Sequence, residues 1–246
     1  FESASEMTAI PKIKEDALYN FAVISFEIDI NPYDESVRAF ENYLERYPNS
    51  PRKKDVYQYL INVYSSTSNY KKAIESLNKL SNLDVRLKRV YQTISYNHGV
   101  ELFSKRRFNS SIKAFADVSI HPIDPELVAI SKYWMADAYY RLKKYRESIS
   151  YYKDFISSPA SNSFSEKVDA YYNMGYAYKN REEFTRASEN FRIYIQSNPD
   201  DVNKLVDACF RVADIFYIDK ENALALEFYE KALSYNSALN DKAIYY

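Results

Sequence analysis

The chain has 246 residues, a formal net charge of −1 and 46% hydrophobic residues, enough apolar material for a sizeable core and too much for a disordered polymer. Only two glycines occur, Gly99 and Gly175, which excludes all-β and Rossmann-like sheets with their glycine-dependent tight turns, and also any phosphate-binding loop or dinucleotide fingerprint. A lone cysteine, Cys209, excludes an intrachain disulfide framework and a multi-cysteine zinc site, and no apolar run approaches the roughly 18 residues of a membrane span. The opening Phe1 suggests a piece of a longer protein, with any targeting signal outside it.

The eight prolines fall between stretches of helical periodicity, where a missing N–H and a fixed φ do no harm, so many helices joined by short turns are predicted. Taken in chain order, six units repeat one pattern of aromatic, small and aromatic residues. Unit 17–53 carries Tyr33, Ser36 and Phe40; unit 54–91 carries Tyr70, Ala73 and Leu77. Unit 92–128 carries Phe108, Ser111 and Phe115, and unit 129–167 carries Tyr145, Ser148 and Tyr152. Unit 168–205 carries Phe184, Ala187 and Phe191, and unit 206–241 carries Asn222, Ala225 and Tyr229. The small residues step by 37, 38, 37, 39 and 38, and twelve residues before each stands Ile24, Ile61, Gly99, Ala136, Gly175 or Ala213. Apolar residues recur at helical spacing around both landmarks, so each unit reads as two antiparallel helices, A then B. Small residues are needed where two helix backbones cross closely, and aromatic rings fill the space beside the crossing. Asn31-Pro32, Ser50-Pro51 and Asp124-Pro125 read as cap-then-proline helix starts. Residues 242–246 parallel Val168–Tyr172 and read as the start of a further helix A, without a polar capping helix; such an end would fray or bury itself against a second copy, giving a dimer.

The stretch from Val168 to Asp201, with Tyr171, Gly175, Tyr178, Phe184, Ala187, Phe191 and Pro199, closely resembles the tetratricopeptide repeat. The resemblance covers nearly the whole chain and implies an all-α, right-handed superhelical solenoid of six antiparallel helix pairs, one domain over 1–246. Three features depart from the family pattern. The spacing exceeds the usual repeat, with the excess in segments such as Ser157–Lys167; the second small site of helix B is bulky at Tyr43, Phe155 and Tyr194; and Ile24 and Ile61 replace small residues in the first two units. Long repeats with forms such as Tyr47-Pro48-Asn49-Ser50-Pro51 are similar to those of bacterial envelope proteins, outer-membrane assembly lipoproteins and Tol–Pal accessory proteins among them, which implies an exported bacterial protein.

Such solenoids bind protein partners on the concave wall lined by A helices, without catalysis. Helical spacing predicts which residues face it: Tyr59, Asn62, Tyr96, Asn97, Tyr133, Trp134, Asp137, Tyr140, Tyr172, Asn173, Tyr176, Lys179, Phe210 and Arg211. Gln58 interrupts an aromatic column of Phe21, Tyr96, Tyr133, Tyr172 and Phe210, to which Tyr246 is added, and Asp214 and Tyr217 extend the face. Tyrosine suits recognition through large contact area and a polar tip, but with 26 tyrosines in the chain, packing between repeats accounts for such a column equally well. Some family members clamp a partner's C-terminal carboxylate with lysine, arginine and asparagine. Asn62 and Asn97 fit that clamp, but Gln58, Ile130 and Trp134 stand where it needs cations, so internal segments or a folded surface are the expected partners.

No cofactor or metal site is expected. His98 reads as a core histidine, His121 as a loop residue and Cys209 as core, and the paired acids Glu182-Glu183 and Asp200-Asp201 fall in turns, where solvated charge is ordinary. The A-to-B turns carry Lys71, Lys72, Lys105, Arg106, Arg107, Lys143, Lys144, Arg146 and Arg181, either ordinary solvated charge or a basic edge for an acidic partner, an anionic lipid surface or nucleic acid. Two alternatives stand beside the scaffold. An RNA-binding helical repeat would need a basic groove, against which Asp137, Asp214 and a pI near 6.3 argue. A regulatory arm of an enzyme lying outside this segment is the other.

Overall fold

The computed structural model describes residues 10–28, 35–66, 69–80 and 82–244, with side chains described as far as 235. Among these residues there are twelve α-helices and no strand. They are α1 (Pro11–Ile28), α2 (Glu35–Arg46), α3 (Lys53–Ser66), α4 (Tyr70–Lys79), α5 (Val85–Ser104) and α6 (Phe108–Asp117). After these come α7 (Pro125–Arg141), α8 (Tyr145–Ile156), α9 (Glu166–Lys179), α10 (Phe184–Gln196), α11 (Val202–Ile218) and α12 (Asn222–Ile244). The odd-numbered helices are the A helices and the even-numbered ones the B helices. The landmarks Tyr33 and Tyr246 and the pair Asn31-Pro32 lie outside the described residues. Helix α12 continues through 242–244, where the sequence suggested a new helix opening.

The described residues divide into two compact units, one of 1–98 with 117–124 and one of 99–116 with 125–246. In the first, Leu18, Ala22, Phe40, Tyr43, Leu60, Tyr64, Leu77 and Tyr91 form the core. Helix α3 keeps the predicted register, with Val56, Leu60 and Val63 buried around a half-exposed Ile61. Helix α1 does not: Ile24 is half-exposed, and Leu18 and Ala22 are turned inward instead. The small Ala22 of this helix, wholly buried, packs into the core. Ser50, a predicted cap, instead ties two helices together. Its hydroxyl donates to Glu15 at 2.6 Å, and the Tyr43 hydroxyl donates to the same carboxylate at 2.8 Å. Asp124 does precede a helix beginning at Pro125, and buried Gln92 holds it by donating to its carbonyl (2.9 Å) and accepting from its N–H (2.8 Å). His98 is half-buried near the Tyr70 ring, and His121 packs edge-on against buried Tyr91, so neither is simply core or simply surface.

In the second unit the glycines lie at the crossings. A Cβ on Gly99 would meet the Phe115 ring at 2.6 Å, and one on Gly175 would meet the Phe191 ring at 2.8 Å. The landmark serine of α6 adds a bond there, Ser111 Oγ donating to the Gly99 carbonyl at 3.0 Å. The small residues of all six B helices are buried. The four A-to-B turns share one geometry. Arg106, Lys143, Glu182 and Lys220 have φ of 57°, 58°, 61° and 64°, and the next amide donates back to the carbonyl five residues earlier, as from Lys144 to Tyr139 at 2.9 Å. This is the glycine-type helix stop built with side chains that resist it. The long spacing after Ser157 is a 3₁₀ turn, Pro159–Ser163, that touches α7, α8 and α9; its Ser163 hydroxyl donates to Glu126 of α7 at 2.7 Å.

Candidate functional site

The predicted binding residues fall into different classes. In the first unit Tyr59 stacks on Phe40 (5.1 Å, 10°) and meets Phe26 edge-on, so half of its ring is committed to packing. Asn62 is exposed and accepts from Gln58, which in turn accepts from Arg86. Tyr96 is half-buried and Asn97 exposed. In the second unit Tyr133 is only 8% exposed, with its ring against Tyr152 and Phe155. Trp134 sits edge-on to Phe103 and Tyr133, and Phe210 lies near the Tyr229 ring. The aromatic column therefore serves largely as the packing layer beneath the A-helix face, and the polar residues beside it reach the surface.

Two carboxylates organise that face in the second unit. Asp207, which spacing did not single out, sits on α11 opposite α9. Tyr172 donates to its Oδ2 at 2.9 Å, Tyr176 donates to the same oxygen, and Arg211 Nε donates to Oδ1 at 3.2 Å. Arg211 continues to Asp214 (2.9 Å), which also accepts from the Tyr229 hydroxyl (2.9 Å). Burial, reinforced by bonding to Asp207, raises both phenols, Tyr172 well beyond the ordinary range and Tyr176 to about 12, so both are fixed as donors.

Asp137, on α7, is treated differently. Its side chain is 17% exposed, its ion-pair partner among the described residues is Arg141, 3.7 Å away, and Arg141 is itself 57% exposed. Burial raises the Asp137 carboxyl, and Arg141 only partly opposes this. A cavity of about 180 Å³ opens here between α7 and α9, lined by Asp137, Tyr140, Arg141, Asn173 and Tyr176. Four of these five were predicted from helical spacing; Arg141, one position beyond Tyr140, was not. Asn173 Nδ2 donates to the Tyr133 hydroxyl (3.2 Å) and Asn180 Nδ2 to that of Tyr140 (3.2 Å). The Tyr152 hydroxyl is wholly buried and is not among the groups that line the cavity, and burial raises its phenol well above the usual range. Lys179 lies over the Tyr176 ring at 5.8 Å.

Elsewhere, Lys105 pairs with Glu101 and Arg181 with Glu183, whereas Arg106, Arg107, Lys143, Lys144 and Arg146 are exposed and in no ion pair among the described residues. Cys209 is buried, and burial lifts its thiol to about 11. Among the described residues no group of three or more potential metal ligands is assembled, and no helix is long and apolar enough to cross a membrane.

The chain is similar in fold to several solved structures. BtubC from P. vanneervenii shares 13% identity over 95% of this chain and 93% of its own, with a TM-score of 0.57. YrrB, described as a TPR protein with an unusual peptide-binding site, shares 15% identity over 84% of this chain and 99% of its own, with a TM-score of 0.52. Residues 41 to the end of MamA from Desulfovibrio magneticus RS-1 share 13% identity over 84% and 98%, with a TM-score of 0.50. Curated protein sequences yield no significant match. Two family profiles, both of the tetratricopeptide repeat, match residues 16–50 and 131–161, and residues 168–201 and 206–239. Those matches take in more than half of the chain and fall on the helix pairs α1–α2, α7–α8, α9–α10 and α11–α12, so the chain belongs to the tetratricopeptide repeat family.

Proposed function

We propose that the chain binds a protein partner through the A-helix face, with the stretch around the α7–α9 cavity as the contact that selects it. Tetratricopeptide repeats are in general interaction scaffolds that hold protein or peptide partners, and this chain is a scaffold of that family. The observation that carries the finer reading is the cavity itself. Polar groups converge there on a rigid helical wall, over an aromatic layer that is already packed. Rigid tyrosines with fixed hydroxyls lose little entropy on contact, which favours recognition of an extended segment or a folded surface. The groups assembled at the cavity suit hydrogen bonding and ion pairing.

The reading is tested by crosslinking capture from native lysate, comparing the chain with a Tyr140→Ala, Asn173→Ala, Lys179→Glu variant. These side chains reach the surface, so circular dichroism should match between the two. A partner held by the chain and lost by the variant supports the A-helix face. Equal capture by both places the contact elsewhere and refutes it.

A further inference from the structure

Two acceptors at the cavity, the Asp137 carboxylate and the Asn173 carbonyl, are only loosely served from within the chain. Asp137 has two carboxylate oxygens and one long ion pair, to Arg141 at 3.7 Å, whose side chain is mostly in solvent. Asn173 spends its amide nitrogen on Tyr133, which leaves its Oδ1 as an acceptor. A ligand that completes this set must bring several N–H donors and a positive charge, and must tolerate aromatic walls.

We propose that this cavity is a socket for an arginine side chain, carried by the partner segment that the A-helix face binds. This rests on the reading of that face given above. The guanidinium is planar, weakly hydrated and carries five donors in a fixed fork, so it can pair with Asp137 while donating to Asn173. The Tyr140 ring offers it a face, the Tyr176 ring being already covered by Lys179. The volume also fits: about 180 Å³ holds one flat headgroup, since a cavity of about 150 Å³ accepts benzene. A carboxylate-bearing residue would meet Asp137 and is refused. Arg141, 57% exposed, is free to swing from the rim as the ligand's arginine takes its place. The socket thus has the opposite polarity to the lysine–asparagine clamp that grips a partner's terminal carboxylate.

The test is an NMR titration of the isotope-labelled chain with acetyl-Ala-Arg-Ala-amide, beside versions bearing lysine or the neutral isostere citrulline. The arginine peptide should shift the Asn173 side-chain amide and the backbone of 137–141 to saturation, with citrulline at least tenfold weaker and lysine intermediate. Asp137→Asn, nearly isosteric, should weaken the arginine peptide at least tenfold with an unchanged circular dichroism spectrum, whereas Arg141→Gln should not weaken it. Equal response to citrulline, no saturable shift at Asn173, or equal binding by Asp137→Asn overturns the socket. A lysine peptide binding as tightly as arginine overturns the arginine assignment. The two readings fail separately. A lysate partner lost by the Tyr140/Asn173/Lys179 variant but kept by Asp137→Asn sinks the socket alone, and one kept by both sinks the A-helix face.

Discussion

Asp137 and Asp207 sit on the same kind of face, one at the α7–α9 junction and the other between α9 and α11, yet their surroundings are opposite. Asp207 receives two phenolic hydroxyls and a guanidinium from residues of the protein itself. Asp137 receives no such set, and the volume in front of it is open. Spacing on the helix itself is the same: Arg211 and Arg141 each stand one turn after their aspartate, at 3.2 and 3.7 Å, so the difference comes from the tyrosines that α9 supplies to Asp207. A buried carboxylate with its donors is a fastener between repeats, whereas one without them is a cost that a ligand can relieve. The comparison teaches that the same face position in two repeats is tied down or left open according to what the neighbouring repeat supplies.

The largest disturbance would reach both sites through the helix they share. Gly175→Leu on α9 drives a side chain into the Phe191 ring, already 2.8 Å from where a Cβ would stand, and should cost about 3 kcal/mol by overpacking. A urea midpoint unchanged from the parent would show that this crossing is looser than described. Next, Asp207→Ala leaves Tyr172, Tyr176 and Arg211 without their common acceptor and should cost about 2 kcal/mol, discounted for partial exposure of the ion pair. The same denaturation curve measures it, and a loss below a few tenths of a kcal/mol would remove the fastener role.

The third effect has the opposite sign. The folded state raises the Asp137 carboxyl above its ordinary 3.8, so the fold binds that proton more tightly than the unfolded chain does. The stabilisation this gives is present below about pH 4 and is lost as pH rises through the raised value. Asp137→Asn should therefore melt at or above the parent at neutral pH, by about 1 kcal/mol in free energy, with the advantage shrinking toward pH 4. Melting curves at several pH values check this, and a variant less stable than the parent at pH 7 would contradict it. The smallest effect is a control beside the cavity. Lys143→Gly at φ 58° should stabilise by roughly 0.5–1 kcal/mol and leave Asp137 and Asp207 undisturbed, since the strain lies in the backbone alone.

Much of the fold was legible because helix crossings restrict residue size. The Ser and Ala landmarks and both glycines fall where backbones approach, and their regular steps locate all six pairs. The register failed in α1, where Ile24 follows the count but not the packing, because a fixed spacing carries no information about which side chain fits. The face was legible for the same reason as the crossings, as helical geometry put Asp137, Tyr140, Asn173 and Tyr176 on one wall. What spacing could not convey was commitment. Tyr133 and Tyr172 fit the column equally well, but one is buried in packing and the other is tied to Asp207, a residue two turns before Asp214 that no periodic rule marked. The αL turns were likewise hidden, because Arg106, Lys143, Glu182 and Lys220 carry none of the glycine signal that usually announces them.

The 3₁₀ turn at Pro159–Ser163 belongs to the longest of the five repeat steps, and it touches both α7 and α9, the two walls of the cavity. It is therefore a shim: it enters the same junction from outside and is anchored to α7 by the Ser163–Glu126 bond. Shortening or lengthening this segment would reset the gap between the walls without altering any residue that lines it. The width of this cavity can in this way change by insertion and deletion, a route that comparing the lining residues of related repeats would never reveal.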